Sequence, residues 1–383
     1  MVRLGELVAA VDAAYDPTWA EPWDAVGLVC GDPDAEVSRV LLAVDPVAAV
    51  VTEALDWGAQ LLLTHHPLYL RATTSVAATS AKGRVVHDLI RGGCGLLVVH
   101  TNADVARPGV SDALADRLGM KDTQPLAAST TTLDKLVVFV PTTHADPLID
   151  ALSAAGAGRL GAYERCAWTA TGIGTFTPLP GADPAVGAVG ERASVEETRV
   201  EMVLQRADRS NVLRAMRAAH PYEEPAYDVL ELAALPGDRG LGRVGDLVEP
   251  LPLNELRRRL SKSLPATAGG IRSAGDRFQV ITRMAVCGGS GGELAGAAAA
   301  AGAQAFLTAD LRHHTASEAL ADHGIALIDV AHWATEQPWL AHAARVITDA
   351  FGTTVEAKVS TLVTDPWTYR AEPVSWKIST PDA

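Results

Sequence analysis

Two stretches of the chain, EALDWGAQLLLTHHP at 53–67 and AAAAAGAQAFLTADLRHH at 297–314, follow one plan: a helix-like segment, then Gly-Ala-Gln, then an apolar strand that reaches Thr. A second pair lies downstream. GGCGLLVVHTNAD at 92–104 and DHGIALIDVAHWATE at 322–336 are each a Gly-started apolar strand that closes on a His and an acid, His100 and Asp104 in one copy, His332 and Glu336 in the other. Strands apolar on both faces that alternate with helical segments belong to α/β proteins with a largely parallel sheet. The expected fold is therefore α/β, with a core of two pseudo-repeated halves.

The chemistry sits where these strands end. LLLTHHP (61–67) is a run of Leu closed by two imidazoles and a proline, and open α/β sheets place their sites at the carboxyl ends of strands. Consecutive strand residues point to opposite faces unless the chain turns, and Pro67 supplies the turn. His65, His66, Asp104, His332 and Glu336 together give three imidazoles and two carboxylates at corresponding strand ends, which is a metal-ligand set. Imidazole with carboxylate suits Zn, Fe or Mn, whereas Ca or Mg takes oxygen almost throughout. Five ligands exceed the three of one catalytic zinc, and two divalent ions bridged by a carboxylate use the surplus. His332 and Glu336 share a helix face at i and i+4. That spacing alone reads as an exposed pair on an ordinary helix, and its match to the HHP strand end favours ligation.

His100 is expected to line the site, and Asp310 and His313 are candidates for the same role. His87, His144 and His342 read as surface or structural. Trp23, before an apolar strand, reads as core packing, with cavity lining as the lesser reading for Trp23 and Asp24. GGSGGEL (288–294) has two readings of equal weight, backbone amides cradling an anion or a tight strand-to-helix turn.

Between the halves, DKLVVFVPTTHADPLIDALSAAGAG (134–158) resembles TRVEMVLQRADRSNVLRAMRAAHPY (198–222), each a strand, a polar turn and an amphipathic helix. With further strands around YERCAWTAT and AYDVLEL, this predicts a ferredoxin-like α+β insert domain over 128–238 between core halves at 1–127 and 239–383. LAASTTT (126–132) and LPGDRGLG (235–242) read as its linkers. HPYEE (220–224) supplies a polar, aromatic cluster suited to a turn or an inter-subunit contact.

Composition narrows the classes. With 383 residues, 48% hydrophobic and 20% charged, the chain can bury a large core. A net charge of -14 opposes nucleic-acid binding, which needs a basic surface. Four dispersed cysteines without CxxC spacing read as free thiols. No stretch of 18 apolar residues runs uninterrupted and the start lacks a signal-peptide pattern, so no membrane partner and a cytoplasmic location are expected.

EPWDAVGLVCG (21–31), LTHHP (63–67), HTNAD (100–104), GAGRLGAYERCAWTATGIGTF (156–176), HPYEEPAYD (220–228), VCGGSGGEL (286–294), the His332 to Glu336 element and DPW (365–367) together resemble the dinuclear-metal family known as GTP cyclohydrolase I type 2, or NIF-three-like. The resemblance covers nearly the whole chain. It implies the same five metal ligands, a toroidal homohexamer, and an insert of the PII/CutA type. It also implies GTP ring opening with release of formate. The expected function is a dinuclear metal-dependent hydrolase acting on a nucleotide-like substrate. The alternatives are a noncatalytic metal-binding scaffold, carrier or PII-like regulator, and a nucleotide phosphoesterase. A phosphate-bearing substrate needs cations, and the sequence near the ligands offers only Arg71, Arg107 and Arg312.

Overall fold

The computed structural model describes residues 1–371. The chain forms two compact units, one from 1–129 and 238 onward, the other from 130–237. The first is mixed α/β and holds a five-stranded and a six-stranded sheet. In the five-stranded sheet the order is Glu356–Val359, Arg39–Ala43, Leu61–Thr64, Gly95–Val98 and Gly27–Cys30, the first four parallel and the last antiparallel. The six-stranded sheet runs Ile271–Ala274, Ala326–Val330, Ala305–Ala309, Val280–Ser290, Leu235–Pro252 and Met120–Thr131. Its Val280–Ser290, Ala305–Ala309 and Ala326–Val330 strands are parallel, so each sheet carries a parallel centre.

The doubled sequence plan is a doubled structure. Leu61 and Leu63 face one core and Leu62 another; Ala305 and Leu307 share the first of these, and Phe306 faces a third. The shared core, which includes Leu4, Leu114, Ile328 and Trp339, thus takes alternate residues from both sheets. Each fully buried Leu contributes roughly 1.5–3 kcal/mol relative to exposure. Gly58 (φ 73°) and Gly302 (φ 78°) turn the chain left-handed after their helices, which glycine does with little penalty. Gln60 Oε1 then accepts the N–H groups of Ser38 and Arg39 at 3.0 and 2.9 Å, and Gln304 Oε1 accepts those of Thr282 and Arg283 at 2.6 and 3.1 Å. In both halves the glutamine ties its strand to the neighbouring one.

In the 130–237 unit, strand, helix, strand, strand, helix and strand follow in order. The sheet runs Tyr227–Glu231, Leu133–Pro141, Ala193–Gln205 and Trp168–Phe176, every neighbour antiparallel. Helices Ala145–Ala154 and Arg209–Ala219 bury Leu148, Leu152, Val212 and Met216 against Val138, Val140, Val200 and Met202.

The segments read as linkers are strands. Residues 126–131 complete Met120–Thr131, and 235–242 begin Leu235–Pro252. The glycines mark a close approach: a Cβ on Gly240 would come within 2.1 Å of the Ala127 carbonyl oxygen, and one on Gly242 within 3.1 Å of Leu126. All four cysteines are free, with Cys94 and Cys287 buried. No helix among the described residues is long and apolar enough to cross a membrane.

Arg243 anchors the core beside the site. Fully buried, it donates to both Asp112 oxygens at 2.7 and 2.6 Å and to the carbonyls of Gly240, Gly242 and Ala106 at 2.7, 2.7 and 2.6 Å. Removing one partner of such a pair strands the other charge in a medium that cannot solvate it. Asp112→Ala is expected to cost about 3–5 kcal/mol in denaturant unfolding. A loss below about 1 kcal/mol, the size of a surface pair, would contradict this assignment.

Candidate metal centre

Strand ends from both sheets deliver one cluster. Leu61–Thr64 ends on His65 and His66, and Gly95–Val98 leads through His100 into the short helix Thr101–Val105, which carries Asp104. Ala326–Val330 leads into the short helix His332–Glu336. The Glu336 carboxylate lies among three imidazoles: His332 Nε2 at 2.9 Å, His66 Nε2 at 3.1 Å and His65 Nε2 at 3.5 Å. Asp104 Oδ1 lies 3.8 Å from His65 Nε2. The His100 ring centroid is 5.1 Å from that of His65 and 5.7 Å from that of His66. The five residues expected as ligands are therefore together, with His100 beside them.

Each imidazole is held by its far nitrogen. His65 Nδ1 donates to the Val99 carbonyl at 3.0 Å, which turns Nε2 toward the cluster. Nδ1 of His66, His332 and His100 meets Asp45 at 2.7 Å, Asp310 at 2.6 Å and Asp24 at 2.8 Å. Carboxylate or carbonyl behind imidazole is the arrangement that orients metal-ligating histidines. Asp310 adopts φ 57°, uncommon for a residue with a side chain. Asp24 also accepts from the Thr101 N–H and hydroxyl, at 3.0 and 2.5 Å.

The charges are strongly coupled. Burial opposes the charged rings, yet Glu336 and Asp45 outweigh it and push the His66 imidazole up to about 10. His332 rises likewise against burial, to about 11, through Glu336 and Asp310. The His65 imidazole is also raised, since Glu336 and Asp104 outweigh its burial. Burial alone would raise Glu336, but the three imidazoles hold its carboxyl well below the usual range. Burial pushes the Asp104 carboxyl up despite His65. Against burial, the hydrogen bonds from His100 and Thr101 hold Asp24 low.

A cavity of about 800 Å³ opens beside the cluster, lined by His66, His100, Asp310 and His332. Its arginines are Arg272, paired with Asp329 at 2.9 Å, and Arg370, neither of them suggested by proximity in sequence; Arg71, Arg107 and Arg312 are not among its lining residues. Sequence reading also missed Asp45, whose one local signal is its place just after the strand Arg39–Ala43. His313 is exposed, its ring against His314 at 5.2 Å, and does not line the cavity. Trp23 is 59% exposed rather than core, with its ring 6.0 Å from His100. In GGSGGEL the N–H groups of Gly288, Gly289 and Gly291 already donate to the hydroxyls of Ser111, Thr335 and Thr308, so the turn reading holds and the anion cradle does not. Gly289 (φ 66°) has a direct bearing on the cluster, because a Cβ there would come within 2.6 Å of Glu336 Oε1 and 3.2 Å of His332 Nε2.

The donor set fits a metal ion. The ligand atoms of His65, His66 and His100 lie within 4.8 Å of one another, as do those of His66, His332 and Glu336. His65 Nε2 and Asp104 Oδ1 are buried without hydrogen-bond partners, a costly condition that a cation removes. His66 and His332, with pKa raised above neutrality, hold protons near pH 7 that a cation must displace, so binding should strengthen as pH rises. Zn²⁺ calorimetry near neutral pH, repeated in buffers of different ionisation enthalpy, is expected to show net proton release; identical heats would contradict this. Gly289→Ala is expected to weaken metal binding about tenfold or more, by forcing Glu336 and His332 aside. Unchanged affinity in competition with a chelator would sink that role.

Residues 2–366 match the family described as Duf34/NIF3 (NGG1p interacting factor 3). The GTP cyclohydrolase 1 type 2 homolog of Mycobacterium tuberculosis is 49% identical over 96% of this chain and 97% of its own length, and that of Streptomyces coelicolor is 41% identical over 96% and 94%. A Bacillus cereus protein related to NIF3 superposes with a TM-score of 0.73 at 32% identity, covering 96% of this chain and 99% of that one. Staphylococcus aureus protein SA1388 gives a TM-score of 0.78 at 28% identity over the same shares. With its sequence matched nearly end to end and its fold shared with NIF3-related structures, the chain belongs to the Duf34/NIF3 family.

Proposed function

We propose that the cluster is a dinuclear metal centre and that the protein is a metal-dependent hydrolase acting on a small, nucleotide-like molecule. One observation carries the reading: His65 Nε2 and Asp104 Oδ1, buried and unsatisfied, lie 3.8 Å apart beside the buried Glu336 carboxylate, amid imidazoles that are each fixed from behind. His65, His66, Asp104, His332 and Glu336 would hold two divalent ions, of Zn, Fe or Mn, with Glu336 central enough to serve both. Such ions supply Lewis acidity and lower the pKa of water toward neutrality.

The chain's own groups position the rest. Asp45 and Asp310 fix the His66 and His332 rings. His100, held by Asp24, stands in the cavity wall as the ring available to hold or pass a proton at the substrate. Arg272, which pairs with Asp329 at 2.9 Å, and Arg370 lie in the same wall, and we read them as the groups that an anionic substrate, a nucleotide or a phosphoester, would meet. The names of the relatives point the same way, toward GTP. We further read the 130–237 unit as a ferredoxin-like domain of the PII/CutA type, an insert in a core that surrounds it in sequence. Its strand order and two same-side helices support that reading. The family resemblance extends the proposal to a cytoplasmic toroidal homohexamer.

Metal analysis of the purified chain is expected to give about two ions. Incubation with GTP and with phosphodiesters, following formate and phosphate, tests turnover. Glu336→Ala is expected to lose most of the metal while the 130–237 unit stays folded by amide exchange, and His66→Ala to lose turnover. Stoichiometric metal retained in Glu336→Ala would defeat the ligand assignment. Full metal with no turnover on any of these substrates would leave the noncatalytic scaffold.

A further inference from the structure

A second cavity, of about 320 Å³, lies wholly within the 130–237 unit. That volume is at the lower end of small-molecule sites, roughly 300–1,000 Å³. Phe139, Phe176 and Tyr222 contribute aromatic groups to its wall, Glu197, Glu223 and Glu224 contribute carboxylates, and no lysine or arginine lines it.

Glu197 is held in place from several sides. It stands on Ala193–Gln205 opposite Pro141 on one neighbouring strand and Gly172 on the other. Its carboxylate occupies space that only a glycine leaves open, because a Cβ on Gly174 would come within 2.0 Å of Glu197 Oε2. The Tyr222 hydroxyl donates to Glu197 Oε1 at 3.0 Å. Tyr222 is fixed in turn: its N–H donates to His220 Nδ1 at 3.0 Å, and His220 Nε2 donates to the Phe139 carbonyl at 2.9 Å. With Nδ1 accepting, the His220 ring is neutral and brings no positive charge to the carboxylates. The Phe176 and Tyr222 rings meet edge to face at 5.6 Å. A carboxylate set beside aromatic rings, with no basic side chain in the same wall, is matched by a ligand that carries its own positive charge.

We propose that this cavity binds a small organic cation, an ammonium whose charge meets Glu197 and whose hydrocarbon part packs on Phe139, Phe176 and Tyr222. Three carboxylates with no lysine or arginine in the same wall disfavour an anion, although Arg217, outside that wall, interacts with Glu224. A divalent ion is the weaker match, because the donor groups that converge within metal reach among the described residues lie in the other unit.

The test titrates the full chain, by calorimetry and by chemical shift, with benzylammonium and phenethylammonium, with the neutral counterparts benzyl alcohol and phenylethanol, and with MgCl₂. The ammonium ions are expected to saturate one site per chain, about tenfold or more tighter than the alcohols. Glu197→Gln should reduce their affinity to that of the alcohols and leave the bound metal of the other unit unchanged. Should Glu197→Gln fail to fold, the ammonium and alcohol pairs on the native chain still decide. Absence of saturable ammonium binding, equal affinity for ammonium and alcohol, or ammonium binding unchanged in Glu197→Gln overturns the proposal. Mg²⁺ binding that outcompetes the ammonium and is lost in Glu197→Gln overturns it too, in favour of a metal.

Discussion

The Glu336 carboxylate, buried within 3.5 Å of three imidazoles, is the constraint on which the core depends. A buried anion costs several kcal/mol unless compensated, and the compensation here comes from two sheets. His65 and His66 arrive on the five-stranded sheet, while His332 and Glu336 follow a strand of the six-stranded one. The surrounding order follows from that demand. The strand Leu61–Thr64 is buried along its whole length, Gly289 gives up its side chain so that Glu336 can sit against it, and Asp45 and Asp310 lock the rings. Metal chemistry needs the same features: fixed ring orientations, and nitrogen and oxygen donors gathered in one buried place.

The two halves use one plan and different residues. Aligned on Gly-Ala-Gln, His66 in the first copy corresponds to Asp310 in the second, and aligned on the next strand, His100 corresponds to His332 and Asp104 to Glu336. Where the first half places a ring facing the cluster, the second places the acid that steadies a ring. His100 and His332 stand at corresponding positions, yet His100 is held by Asp24 from near the start of the chain, and His332 by Asp310 from the neighbouring strand end. A doubled scaffold has thereby become a single asymmetric pocket, with an open cavity at its edge where a small molecule can reach His100 and two arginines.

Local pattern carried much of this and misled in places. Leu61 to Thr64 were legible as a buried strand because continuous apolarity leaves no other stable arrangement, and His65 and His66 stood out because two imidazoles have few uses at such an end. LAASTTT and LPGDRGLG do hold the boundaries between the two units, but they are not loops, as their Ser, Thr and Gly suggested; pairing with each other made them strands, and Gly240 and Gly242 were there for close approach. Trp23 was expected in the core on apolarity, but it lies 59% exposed with its ring near His100, which the local sequence could not show. Arg272 and Arg370 were invisible because each stands far along the chain from the ligands whose cavity it lines.

By itself the sequence determined the class of fold, the doubled strand plan and the residues able to ligate, since periodicity, apolar runs and side-chain chemistry are properties of short segments. Tertiary structure alone decided which carboxylate backs which ring, that Gln60 and Gln304 bind adjacent strands, and that Asp45, Arg272 and Arg370 belong to the site. Those relations depend on the packing of two sheets, which brings residues together across separations that no local pattern encodes.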